Sequence, residues 1–288
     1  MAAALLSLSL GAALLAQPQV SPYTAPVTLY ASVTDKAGAF VRDLSAADFT
    51  LKEDGQNRII HEAVVDELPA TVILLIDTSG SMTAQVERLN AWLKVFLNRL
   101  HPADRLRVGR VDGRGAFSPA SFSTNRREAA AIISAWGPGV PQTPLWDSLR
   151  SAVDVLAPEP GYRAVVVLSD GEDTTSKIKD SDVTRAAQTL RIAVHALETP
   201  ITAFIVNGKP TNYRKGDLEN VARDTGGLHR RVPKAEDAQA IDDISHAVRE
   251  RYRITFSAGT PNGKLHEIEL RGKTKDLTVR VASKYGGQ

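Results

Sequence analysis

Thr71-Val72-Ile73-Leu74-Leu75-Ile76-Asp77-Thr78-Ser79-Gly80-Ser81-Met82 is the stretch on which the reading of this chain turns. TVILLI is short and almost wholly apolar, as a strand buried on both faces has to be. An acidic and hydroxyl-rich segment follows, and then a helical pattern. Val86, Leu89, Trp92, Leu93, Phe96, Leu97 and Leu100 recur at three- and four-residue steps. A buried strand that feeds a helix through a polar loop is the repeating unit of a parallel α/β sheet.

The same alternation continues downstream. Arg105 to Val111 reads as a strand, and Arg126–Trp136 and Pro144–Leu156 read as helices. In the second helix Leu145, Leu149, Ala152, Val153 and Leu156 form the apolar face, and Pro144 suits the first turn. Tyr162–Ser169 (YRAVVVLS) is a second buried strand. A helix near Asp182–Leu190, a strand near Ile192–Leu197 and a helix over Gly216–Asp224 come next, the last closed by Gly226-Gly227. Glu236–Arg249 is the final helix. Residues 70–250 thus predict a doubly wound, mostly parallel sheet covered on both faces.

The flanks have a different texture. In 18–69, Val27, Leu29 and Ala31 alternate with polar residues, Phe49-Thr50-Leu51-Lys52 alternates too, and Asp35–Gly38 and Asp54-Gly55 read as turns. In 251–288, Tyr252, Ile254 and Phe256 alternate, and Leu265–Leu270 and Leu277–Val281 repeat the pattern. Neither flank can bury a core alone. The expectation is that they pair as one small β-sandwich, with the α/β domain inserted between them.

Composition narrows the function classes. The chain has 288 residues, 43% hydrophobic and 24% charged, the balance of a globular protein. Thirty-five Lys and Arg against 33 Asp and Glu leave +2, which argues against a nucleic-acid binder. There are no cysteines, so disulfides, thiol catalysis and zinc ribbons are excluded. Residues 1–17, MAAALLSLSLGAALLAQ, read as an export signal, with small residues before Gln17 and helix-breaking Gln-Pro and Ser-Pro pairs after it. Export to the periplasm, cell surface or medium is the expectation. No other segment is apolar and long enough to span a bilayer.

Chemistry gathers at the strand ends. Ligands of a doubly wound sheet sit at the carboxyl ends of its strands. Asp77, Ser79 and Ser81 leave the sheet there, and in an extended segment alternate residues point one way. Asp170 follows the second buried strand, and Thr143 stands at a helix entrance. These are five oxygen donors without nitrogen or sulfur, a set suited to Mg²⁺, with Mn²⁺ and Ca²⁺ as competitors. Only two of them are anionic, so a bound dication would retain positive character. A carboxylate from a protein partner is then a favourable further ligand.

Asp77-x-Ser79-x-Ser81, Thr143 and Asp170-Gly171, in that order and context, resemble the metal-ion-dependent adhesion site of von Willebrand factor A domains. The resemblance covers about Ala70 to Glu250. The stretches Val33–Gly38, Asp48–Thr50 and Glu53–Gly55 are similar to those of a bacterial A-domain family with a preceding β segment. It implies a Rossmann-like fold, an Mg²⁺-type site and protein binding rather than catalysis. Pro141-Gln142 stand where the family often carries two glycines before the Thr.

Enzyme readings lack support. A haloacid-dehalogenase phosphatase needs an Asp two residues after the nucleophile, and that position is Ser79. No G-x-S-x-G, H-E-x-x-H or Walker A pattern occurs. Gly259–Lys264 reads as a hairpin turn. The six histidines show no ligand spacing and read as ordinary surface or semi-buried residues, Glu172 and Asp173 as solvated loop charges, and Trp92 and Trp136 as core. A structural subunit of an envelope assembly, its metal merely stabilising, is the alternative to a metal-dependent binder.

Overall fold

The computed structural model describes residues 26–112, 114–136, 142–200, 204–206, 209–211, 216–232, 237–260 and 262–286. The expected signal segment, 1–17, lies outside them.

The N-terminal segment supplies β1 (Val27–Thr34), β2 (Phe49–Glu53), β3 (Gln56–Arg58) and β4 (Ile60–Val65). The α/β region then runs β5 (Thr71–Ile76), α1 (Val86–Arg99), β6 (Arg105–Arg110), β7 (Phe117–Ser123), α2 (Arg126–Ser134), α3 (Leu145–Leu156), β8 (Arg163–Ser169), α4 (Asp180–Leu190) and β9 (Ala193–Glu198). It continues through a small hairpin, β10 (Phe204–Val206) and β11 (Lys209–Thr211), to α5 (Leu218–Asp224), β12 (His229–Arg231) and α6 (Asp237–Arg249). The chain closes with β13 (Tyr252–Phe256), β14 (Leu265–Gly272), β15 (Thr278–Val281) and β16 (Lys284–Gly286).

Six strands form the central sheet in the order β12-β9-β8-β5-β6-β7. All neighbours are parallel except β7, which runs antiparallel on the edge. The apolar run of β5 explains its central place, because its side chains divide between two cores. Val72, Leu74 and Ile76 pack on the face covered by α1 and α6, with Trp92, Phe96, Ile244 and Val248. Ile73 and Leu75 pack on the face covered by α3, α4 and α5, with Leu149, Val153, Val183 and Val221. Full burial of each such side chain is worth about 1.5–3 kcal/mol. Trp92 is core as expected, and Trp136 packs on the core edge.

The flanking segments interleave in two antiparallel four-stranded sheets, β15-β1-β13-β4 and β16-β14-β2-β3. Leu29, Val33, Tyr252, Ile254 and Phe256 of the first meet Phe49, Leu51, Ile268, Leu270 and Tyr285 of the second in one core. This is the expected sandwich. The β2–β3 turn is Asp54-Gly55, both at positive φ, as a two-residue hairpin demands. Gly259–Lys264, however, is not a hairpin: β13 and β14 belong to different sheets, so this connection crosses the sandwich.

β7, β12 and β16 were not foreseen. Each is a short or polar edge strand whose assignment comes from its neighbour rather than from apolar alternation. Gly226-Gly227 does end α5. Gly226 has φ of +79°, Gly227 N–H returns to Ala222 O at 2.8 Å, and a Cβ on Gly227 would sit 2.0 Å from Val194 O. Among the described residues no helix is long and apolar enough to cross a membrane.

Candidate metal centre at the sheet edge

β5 and β8 pair in parallel with Ile76 level with Leu168, and Asp77 N–H donates to Leu168 O at 2.8 Å. Asp77 and Asp170 therefore leave the sheet at one height. From β5 the chain passes to β6 on one side, and later enters β8 on the other. Such a switch point opens a crevice beyond the strand ends, and both carboxylates stand in it.

Asp77 is fully buried. Its Oδ1 accepts the Ser79 N–H at 2.9 Å, and its Oδ2 accepts the Ser169 hydroxyl at 2.6 Å. The Ser79 and Ser81 hydroxyl oxygens lie 3.0 Å apart. They meet for a different reason from the one expected. The segment is not extended: it turns at Ser79, whose carbonyl accepts the Met82 N–H, and Gly80–Gln85 is 3₁₀-helical. The Asp77 carboxylate makes that turn by holding the Ser79 N–H.

Asp170 is 1% exposed. Its Oδ1 accepts the Glu172 N–H at 3.0 Å, while its Oδ2 is buried without a hydrogen-bond partner. Gly171, at φ +76°, provides the bend after it. Thr143 is tied to this same loop: its N–H donates to Thr174 Oγ1 at 2.8 Å and its carbonyl accepts the Thr174 N–H at 2.9 Å.

Glu172 and Asp173 are not solvated charges; they are 2% and 1% exposed. Asp173 Oδ1 accepts the Leu145 N–H at 2.9 Å and the Ser176 hydroxyl at 2.5 Å, which satisfies the entrance of α3 next to Thr143. Ser169 is a further participant that sequence reading left inside a strand. Its hydroxyl joins Asp77 to the Gly171 N–H, 3.0 Å away, and so clamps two loops together. A polar residue ending an otherwise apolar strand was the available signal.

Burial pushes the Asp77 carboxyl up to about 6, and the charge of Asp170 adds to the rise; the bonds from Ser169 and Ser79 oppose it. Among the described residues no lysine or arginine pairs with either carboxylate. Among the described residues no group of three or more His, Cys, Asp or Glu gathers, here or elsewhere, so any cation at this edge would rest on two carboxylates and hydroxyls. Two buried, mutually repelling carboxylates, three buried hydroxyls and an orphaned carboxylate oxygen fit a hard divalent cation.

Two histidines depart from expectation. His195, 1% exposed, joins the Tyr162 hydroxyl and the Leu228 N–H, and burial pushes its pKa down to about 3. His266 is buried in the sandwich against Asp54, 2.6 Å away. Both occupy polar seams between layers, which no periodicity announces.

Element order, the six-stranded sheet and the two helical layers give the central region the von Willebrand factor A-type, Rossmann-like fold. No protein-family model and no curated protein matches the sequence. Among solved structures, an aerotolerance-related membrane protein from Bacteroides fragilis aligns at 18% identity with a TM-score of 0.50, over 62% of this chain and 98% of the other. BatB from Bacteroides thetaiotaomicron aligns at 19% identity and TM-score 0.48, over 62% and 97%. A von Willebrand factor type A protein from Catenulispora acidiphila aligns at 13% identity and TM-score 0.48, over 90% and 73%. At such identities the likeness concerns the fold.

Proposed function

We propose that this chain is an exported, metal-dependent protein-binding module of the adhesion type. Asp77, Ser79, Ser81, Thr143 and Asp170 would hold the cation, Mg²⁺ with Mn²⁺ or Ca²⁺ as competitors. A dication there would be balanced in formal charge by the two carboxylates and would keep coordination positions open, suited to an Asp or Glu of a protein partner. The observation that carries the reading is the Asp170 Oδ2 atom, buried without a hydrogen-bond partner beside a second buried carboxylate at the switch point.

The protein's own groups set up this arrangement. Ser169 and the Ser79 N–H orient Asp77, the Glu172 N–H orients Asp170, and the Thr174 pairings hold Thr143 to the same loop. We read the chain as a binder rather than an enzyme, because Ser79 stands where a phosphatase of this geometry needs its general acid. Export rests on the apolar N-terminal stretch, and an envelope setting agrees with the Bacteroides membrane protein of similar fold.

Calorimetric titration of Mn²⁺ into the full chain tests the metal centre. Saturable binding lost in Asp77→Ala and in Asp170→Ala is expected; equal binding in all three would overturn it. A captured partner should be released by EDTA. Retention in EDTA would favour the alternative, a structural subunit whose metal only stabilises.

A further inference from the structure

A cleft of about 800 Å³ separates α6 from the first strand of the sandwich. Gln239, Asp243 and His246 line it from one face of α6, with Glu250 just beyond its end, spaced at three and four residues. Ser32 and Arg280, opposite one another in the β1–β15 register, line the other wall, and Arg230 enters from β12. The volume is that of small-ligand sites, about 300–1,000 Å³.

The carboxylates of this wall already have partners. Asp243 accepts Arg230 Nε at 2.7 Å and Gln239 Nε2 at 2.8 Å. Glu250 lies 3.2 Å from His246 Nδ1 and 4.0 Å from Arg42. Arg280 differs. Its Nε is buried without a hydrogen-bond partner, and among the described residues nothing forms an ion pair with its guanidinium. Burial lowers its pKa; Arg230 adds to the fall, while Tyr162 and the Asp243 carboxylate oppose it. His195, kept neutral by burial with Arg280 contributing, offers no compensation. A desolvated guanidinium with no ion pair of its own, its acid Asp243 being already held by Arg230 and Gln239, is costly, and its planar fork matches a carboxylate.

We propose that this cleft binds a carboxylate-bearing ligand on Arg280 with Arg230 beside it, at a second site separate from the metal centre. A monoanionic carboxylate is favoured over phosphate because Asp243 and Glu250 share the cleft and repel a dianion more strongly. Ser32, across the β ladder from Arg280, is placed to add a hydroxyl donor.

The test is calorimetric titration of the full chain, in EDTA and at matched ionic strength. The probes are propionate, as a free monocarboxylate, a short glycine-rich peptide with a single Glu and blocked termini, and inorganic phosphate. Saturable binding of propionate or of the peptide is expected, and which one binds identifies the source. Arg280→Met should weaken it about thirtyfold or more, as for a buried charge pair that loses one partner. Without ligand this variant should melt no lower than the parent, since it removes a half-buried guanidinium that has no ion pair. The proposal is overturned if no carboxylate saturates, if phosphate binds more tightly, if Arg280→Met binds equally, or if that variant melts lower.

Discussion

Replacing Asp77 by Asn separates what the two buried carboxylates cost from what they hold. Burial and Asp170 raise the Asp77 carboxyl from 3.8 to about 6 in the folded protein. A raised folded pKa means that the stabilising contribution is complete below the unfolded value and is lost as pH rises through about 6. At roughly 1.4 kcal/mol per unit, the ionised residue penalises the metal-free fold by about 3 kcal/mol above that pH. Asn removes the charge and keeps an oxygen for the Ser79 N–H. Its amide nitrogen cannot accept the Ser169 hydroxyl now held by Oδ2, a loss of about 1 kcal/mol. The balance is a gain of about 1–2 kcal/mol at about pH 8, or several degrees in Tm at ~2–4 °C per kcal/mol. The gain should largely vanish at about pH 5, where Asp77 is mostly protonated. Thermal unfolding in EDTA measures this. Adding Mg²⁺ should raise the wild-type Tm, by about 2.7 kcal/mol of stability at a hundredfold excess over Kd, and should leave Asp77→Asn unmoved. A variant that is less stable in EDTA at the higher pH, yet responds equally to Mg²⁺, would refute the reasoning.

Other positions give independent checks. Gly227→Ala forces a Cβ to within 2.0 Å of Val194 O in the central sheet and should cost about 3 kcal/mol or more in urea unfolding, since backbone has to move. Arg251→Ala leaves Asp66 buried without its 2.7 Å ion-pair partner and should cost about 3–5 kcal/mol by the same measurement. His195, with its folded pKa pushed down to about 3, contributes stability that is present above its unfolded value near 6.5 and lost progressively as pH falls towards 3. His195→Gln should therefore flatten the acid limb of the stability–pH curve, and an unchanged limb would count against a buried neutral imidazole.

The readable parts of this protein are those where burial repeats with a period. β5 and β8 are apolar throughout because helices cover both faces, and α1 and α3 show one apolar stripe each. The flanking strands alternate because one face meets the opposite sheet. The positions of Asp77, Asp170 and Thr143 at strand ends and a helix entrance followed from the same patterns. The polar connections were read less well. Asp173 looks like any loop acid until α3 is seen to begin against it, and Ser169 looks like a strand residue until its hydroxyl reaches Asp77.

The order of strands and helices, the two-sided burial of the sheet and the choice of oxygen donors are all written in the chain, because they depend on residue type and spacing. Their convergence is not. Asp77 and Asp170 leave the sheet side by side because β5 and β8 are neighbours in register, and Thr143 is tied to the loop after Asp170 through Thr174. Likewise the lone guanidinium of Arg280 acquires meaning only when β15 lies beside β1 and faces α6. Hydrophobic period is a local property that a linear string can carry. The proximity of charges far apart in the string is a property of packing, and only the folded chain decides it.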